Sequence, residues 1–117
     1  MAQFIEVSKT DEWKETGMKV FTVNNQEILL CRSEGRYFAF QRYCPHMRGD
    51  LSQGRLKGTV ITCPLHGSQF HISSGEVVRW LRGGLVSKIS KVFKSSRTLR
   101  IYPVKVEDDK ILVDISS

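Results

Sequence analysis

The chain has 117 residues, 40% of them apolar and 26% charged, with a net charge of +6. That length suits one ordinary domain with a real core, and the composition excludes a disordered or fibrous chain. No apolar run approaches the roughly 18 residues a membrane span needs. The opening MAQFIEVSKTDEWKE has neither the basic nor the apolar region of a secretion signal, so a cytoplasmic protein is expected.

In chain order, FIEV (4–7) alternates and predicts a first strand. SKTDEWKETG carries helix-start residues and a glycine stop, which predict a short helix or helical turn. MKVFTV (18–23) and EILLCR (27–32) flank Asn24-Asn25-Gln26, a hairpin signal, and Glu34-Gly35 then turns into RYFAFQR (36–42). TVITC (59–63) is a β-branched strand. QFHI (69–72), the turn SSGE and Val77-Val78 predict another hairpin. TLRIYPVKV (98–106), the turn EDDK and ILVDIS (111–116) predict a closing hairpin. Many short strands separated by turns indicate an all-β sandwich or barrel. The segment RWLRGGLVSKISKVFKSSR (79–97) fits least well. Its Leu85, Ile89, Val92 and Phe93 suggest an amphipathic turn or short helix, with a β-excursion as the alternative.

The positive charge is concentrated. Between Val77 and Val106 there is no acidic residue, while Arg79, Arg82, Lys88, Lys91, Lys94, Arg97, Arg100 and Lys105 fall there. A solvated face is the plain reading of the stretch 79–105. Its functional reading is docking to an acidic protein partner. Nucleic-acid binding would need aromatics interleaved with the cations, and Trp80 and Phe93 alone do not supply them, so no nucleic-acid partner is expected.

The chemistry lies in residues 44–70, CPHMRGDLSQGRLKGTVITCPLHGSQF. Cys44-x-His46 and Cys63-x-x-His66 are two tight pairs with 16 residues between them. Three cysteines make a disulfide framework improbable in a reducing compartment, and Cys31, inside the apolar run EILLCRS, reads as a buried core residue. Two thiolates and two imidazoles suit zinc, iron or an iron–sulfur cluster. Zinc fingers group Cys with Cys and His with His, usually with the histidines on a helix. Here each loop mixes the two types, and Pro45 and Pro64 oppose a helix. A binuclear cluster explains the mixing better, each loop sending its Cys to one iron and its His to the other.

These residues resemble the Rieske-type iron–sulfur domain. CPH and CPLHG, with Gly49, Leu51, Gly54, Gly58, Phe70 and Gly75, and the late Tyr102-Pro103-Val104-Lys105-Val106 with ILVDI, are similar to the small Rieske-type ferredoxins that serve aromatic-ring-hydroxylating dioxygenases. The resemblance implies a single domain over 1–117, an antiparallel β-sandwich base with a small cluster-binding subdomain inserted at about 43–68. It implies one 2Fe–2S cluster held by Cys44, His46, Cys63 and His66, with Pro45, Pro64, Gly49 and Gly67 shaping the loops. It also implies a one-electron carrier between a reductase and an oxygenase or other redox partner, not an enzyme. The alternatives are a small Rieske subunit of a larger oxidoreductase, such as a nitrite reductase or oxygenase, and a structural zinc module. A freestanding oxygenase is excluded, because only His71 remains for a second iron site.

Replacing two thiolates by neutral imidazoles raises the potential from about −400 mV to a range of roughly −150 to +300 mV. Reduction should couple to protonation of the ligand imidazoles. High-potential relatives carry an inter-loop disulfide and a Ser and a Tyr that hydrogen-bond the sulfurs. Here Gly49 and Leu65 stand at the disulfide positions, Ser68 matches the Ser, and Phe70 replaces the Tyr. The expectation is a low-to-intermediate potential. His71 stands where relatives commonly have an acid, and reads as a surface or neighbouring strand residue. Trp80 reads as core or as part of a docking surface.

Overall fold

The computed structural model describes residues 3–45, 48–65, 67–79 and 98–116. The strand β1 (Phe4–Lys9) leads into a 3₁₀ turn (Thr10–Glu12), which matches the helical turn expected there. β2 (Gly17–Val23) and β3 (Gln26–Ser33) form the hairpin expected around Asn24, and β4 (Arg36–Gln41) folds back on β3. The connecting pairs Asn24-Asn25 and Glu34-Gly35 all have positive φ, 49°, 66°, 55° and 75°. Left-handed central residues give a two-residue turn the twist of the strands it joins.

A second region follows. β5 (Arg55–Lys57), β6 (Val60–Thr62), β7 (Gln69–His71) and β8 (Val77–Arg79) make a four-stranded antiparallel meander in chain order. β5 is absent from the sequence reading, because Arg55-Leu56-Lys57 is short and mostly charged. Pairing with β6 around Gly58 (φ 59°) makes it a strand.

The closing segment differs from the continuous strand expected over 98–106. It divides at Pro103 into β9 (Ile101–Tyr102), which pairs with β4, and β10 (Val104–Glu107), which pairs with β11 (Lys110–Asp114). Proline has no N–H to donate to a ladder, so the chain changes sheets there. The base therefore holds two sheets, in the orders β2-β3-β4-β9 and β1-β11-β10.

β3 separates two cores. Its Ile28, Leu29, Leu30 and Cys31 are all fully buried, and alternation sends consecutive side chains to opposite faces. Ile28 and Leu30 join Trp13, Ala39, Tyr102, Ile111 and Val113 in one core. Leu29 and Cys31 join Phe38, Phe40 and Leu51 in the other, which also contains Cys44, Cys63 and Phe70. The second core fastens the meander and its loops to the base.

Candidate metal centre

Cys44 and Cys63 occupy loops with the same hydrogen-bond pattern. In the first, the Arg48 N–H donates to the Cys44 carbonyl (2.8 Å) and the Cys44 N–H donates to the Gly49 carbonyl (2.8 Å). In the second, the Gly67 N–H donates to the Cys63 carbonyl (3.1 Å) and the Cys63 N–H donates to the Ser68 carbonyl (2.8 Å). Each cysteine is thus bonded to the fourth and fifth residues after it. The fourth residue is left-handed in both loops, Arg48 at φ 58° and Gly67 at φ 77°.

Neither cysteine is in a disulfide, and both are buried, with 1% and 2% of their surface exposed. The loops meet at Gly49. A Cβ built on it would lie 2.6 Å from Cys63 Sγ and 3.1 Å from Leu65 Cγ. Only glycine lets the first loop approach the second cysteine this closely. Ser68 and Phe70 are fully buried beneath the second loop, whereas Pro64 and Leu65 are exposed on it. His46 and His66 lie outside the described residues, as do Trp80 and the segment 80–97.

Features that the sequence reading did not single out hold the first loop in place. Tyr43 bridges to Asp50. Asp50 caps the 3₁₀ turn Leu51–Gln53 by accepting from the Ser52 N–H (3.0 Å). Arg42 grips the Asp50 carboxylate through Nε (3.1 Å) and Nη2 (2.9 Å), and its Nη1 pairs with Glu27. Hydrogen bonds from Arg42 and then Ser52 hold the Asp50 carboxyl down at about 2. The Asp50-Leu51-Ser52 run is the local signal for the cap. The pairing with Arg42 has no local signal.

Cys31 belongs to the core, as its sequence context predicts, and burial pushes its thiol up to about 12. It stays protonated and is a poor metal ligand. His71 is exposed at the end of β7. Of the basic stretch, Arg79 ends β8, and the side chains of Arg100 and Lys105 are described. Lys105 pairs with Glu107 (3.4 Å) and lies over the Phe4 ring, so it belongs to the base.

The sequence profile of the Rieske [2Fe-2S] domain matches residues 3–86. The chain belongs to the Rieske [2Fe-2S] domain family. Its cofactor is one Rieske-type 2Fe–2S cluster, and it is an electron carrier, not an enzyme. It is 28% identical over 114 residues to the ferredoxin component of the naphthalene 1,2-dioxygenase system of Pseudomonas putida, covering 97% of each chain. It is also 28% identical, over 112 residues, to the ferredoxin component of the alkene monooxygenase system of Xanthobacter autotrophicus, covering 95% of this chain and 80% of that one. The fold superposes on the ferredoxin of carbazole 1,9a-dioxygenase from Nocardioides aromaticivorans IC177 with a TM-score of 0.75, at 23% identity and over 97% and 98% of the two chains. Two buried thiols in matched turns, with Gly49 of the first loop closed against the second thiol, fit such a cluster. Among the described residues no helix is long and apolar enough to cross a membrane.

Proposed function

We propose that this Rieske protein holds its cluster through Cys44, His46, Cys63 and His66 and passes single electrons from a reductase to an oxygenase in the cytoplasm. The observation that carries the ligand set is the shared hydrogen-bond pattern of the Cys44 and Cys63 turns. Each cysteine is followed by its histidine within three residues, inside the span of the turn. Among the described residues no rival group of three or more His, Cys, Asp or Glu side chains is gathered. The subdomain of about 43–68 is the part of the single domain that carries this set.

When bound, the cluster takes up and releases one electron at a time. The chain's own residues set the terms of that exchange. The buried Cys44 and Cys63 are kept from bulk water by Leu51, Ile61 and Phe70 of their shared core. Low local dielectric disfavours the added negative charge. The fully buried Phe70 has no hydroxyl to donate, and Gly49 and Leu65 meet where an inter-loop disulfide would stand. These features support a low-to-intermediate potential.

The acceptor class is an oxygenase, since similarity reaches ferredoxin components of dioxygenase and monooxygenase systems at equal identity. The test is iron and acid-labile sulfide analysis with EPR of the reduced protein. Two irons and two sulfides per chain with a Rieske-type signal are expected. One zinc and no sulfide would overturn the reading. His66→Cys should retain cluster at a lower potential, and an unchanged potential would remove His66 from the ligand set.

A further inference from the structure

We propose that the surface beside the Cys63 loop is a cationic docking face for an acidic redox protein, with Arg48, Arg55 and Lys57 around an apolar contact at Leu65. The inference rests on the electron-carrier reading and adds the sign and position of the contact. An open cleft of about 1480 Å³ runs from Cys63, Pro64 and Leu65 across the outer face of the meander to β5. Register places Arg55, Thr62 and Gln69 in one row, and Lys57, Val60 and His71 in the next. Arg55 and Lys57, two residues apart, therefore share a face, and both are exposed in the cleft wall. No carboxylate is among the described residues that line it. Glu34 approaches the β5–β6 turn at Gly58 but makes no ion pair with Lys57.

Leu65 supplies the apolar centre. It is 56% exposed, the most exposed of the large apolar side chains described. It touches Gly49, and so lies next to Arg48 on the other loop. Arg48 is exposed, makes no ion pair among the described residues, and lies 5.8 Å from the Tyr43 ring centroid. Its backbone is left-handed where the matching residue of the second loop is Gly67. A conformation that glycine adopts freely is here occupied by a guanidinium facing solvent. Cations with no ion pair among the described residues, beside an exposed leucine on the Cys63 loop, complement an acidic surface with an apolar spot.

The test is stopped-flow electron transfer with the cluster-loaded protein, using reduced acidic flavodoxin as donor and basic cytochrome c as acceptor. The flavodoxin rate should fall as salt rises, and the cytochrome rate should rise. The double variant Arg55→Glu/Lys57→Glu should slow the flavodoxin reaction about tenfold at low salt and flatten its salt dependence. Its visible spectrum should not change. Arg48→Gly should slow the same reaction while keeping full cluster content, and Leu65→Ser should slow it at all salt concentrations. Variant rates within about twofold of the parent, or a parent rate that rises with salt, would overturn the docking face. A protein that exchanges electrons with neither partner nor with a viologen mediator would instead overturn the carrier reading beneath it.

Discussion

A methyl group added at position 49 would bring a Cβ to 2.6 Å from Cys63 Sγ and 3.1 Å from Leu65 Cγ. Gly49→Ala must therefore move one loop or the other. The expected cost is about 1–3 kcal/mol, with iron and sulfide content well below the parent's. Gly17→Ala is the matched control, because nothing lies within 4 Å of a Cβ there. It should leave cluster content intact and raise stability by about 0.4–1 kcal/mol through the unfolded chain. Equal cluster content in the two variants would show that Gly49 is not needed for the approach of the loops. Cys31→Ala makes the complementary point. Cys31 is a fully buried member of the same core as Cys44 and Cys63, yet its thiol stays protonated. The substitution should cost about 1–2 kcal/mol of packing and none of the iron.

At the scale of elements, the Arg42–Asp50 pair links the end of β4 to the 3₁₀ turn that closes the first cysteine loop. Hydrogen bonds from Arg42 lower the Asp50 carboxyl to about 2, below its unfolded value. A lowered carboxylate stabilises the fold above its unfolded pKa and loses that contribution as pH falls toward the folded one. With both side chains about a quarter exposed, solvent screening leaves about 1 kcal/mol. Thermal melts of the parent and Asp50→Asn should differ most near pH 6 and converge as pH falls from about 4 toward 2. A pH-independent difference would show that the charge of Asp50, and so its pairing with Arg42, does not stabilise the fold. The sequence shows the cap and hides the clamp, because Asp50-Leu51-Ser52 is local whereas Arg42 meets both Asp50 and Glu27 only after folding. The same division runs through the fold. Asn24-Asn25 and Gly35 announce their turns, because asparagine and glycine tolerate the left-handed backbone found there, and Cys44, His46, Cys63 and His66 announce metal chemistry. Arg55-Leu56-Lys57 becomes a strand only by pairing with β6. Pro103 falls inside the continuous strand expected over 98–106, and the sheet that each half joins is decided by the partners waiting on β4 and β11.

Across the whole molecule, β3 is the wall between two cores, and its neighbouring leucines report on them separately. Leu29 and Leu30 are both fully buried, so truncation to alanine should cost about 2–5 kcal/mol at either position. Their surroundings differ. Leu29 packs in the core that contains Cys44, Cys63 and Phe70, while Leu30 packs with Ile111 and Val113 of the opposite sheet. A cavity at Leu29 opens beneath the cysteine loops. One at Leu30 loosens the base and reaches the loops only through global unfolding. At temperatures well below either melt, Leu29→Ala should therefore bleach several-fold faster than Leu30→Ala, even where the two variants match in global stability. The decay of visible absorbance under a chelator measures this directly. Equal bleaching rates would mean that cluster retention follows the stability of the whole domain. A faster Leu29→Ala would locate it in the one core that ties the loops to the base, where packing and cofactor retention depend on the same side chains.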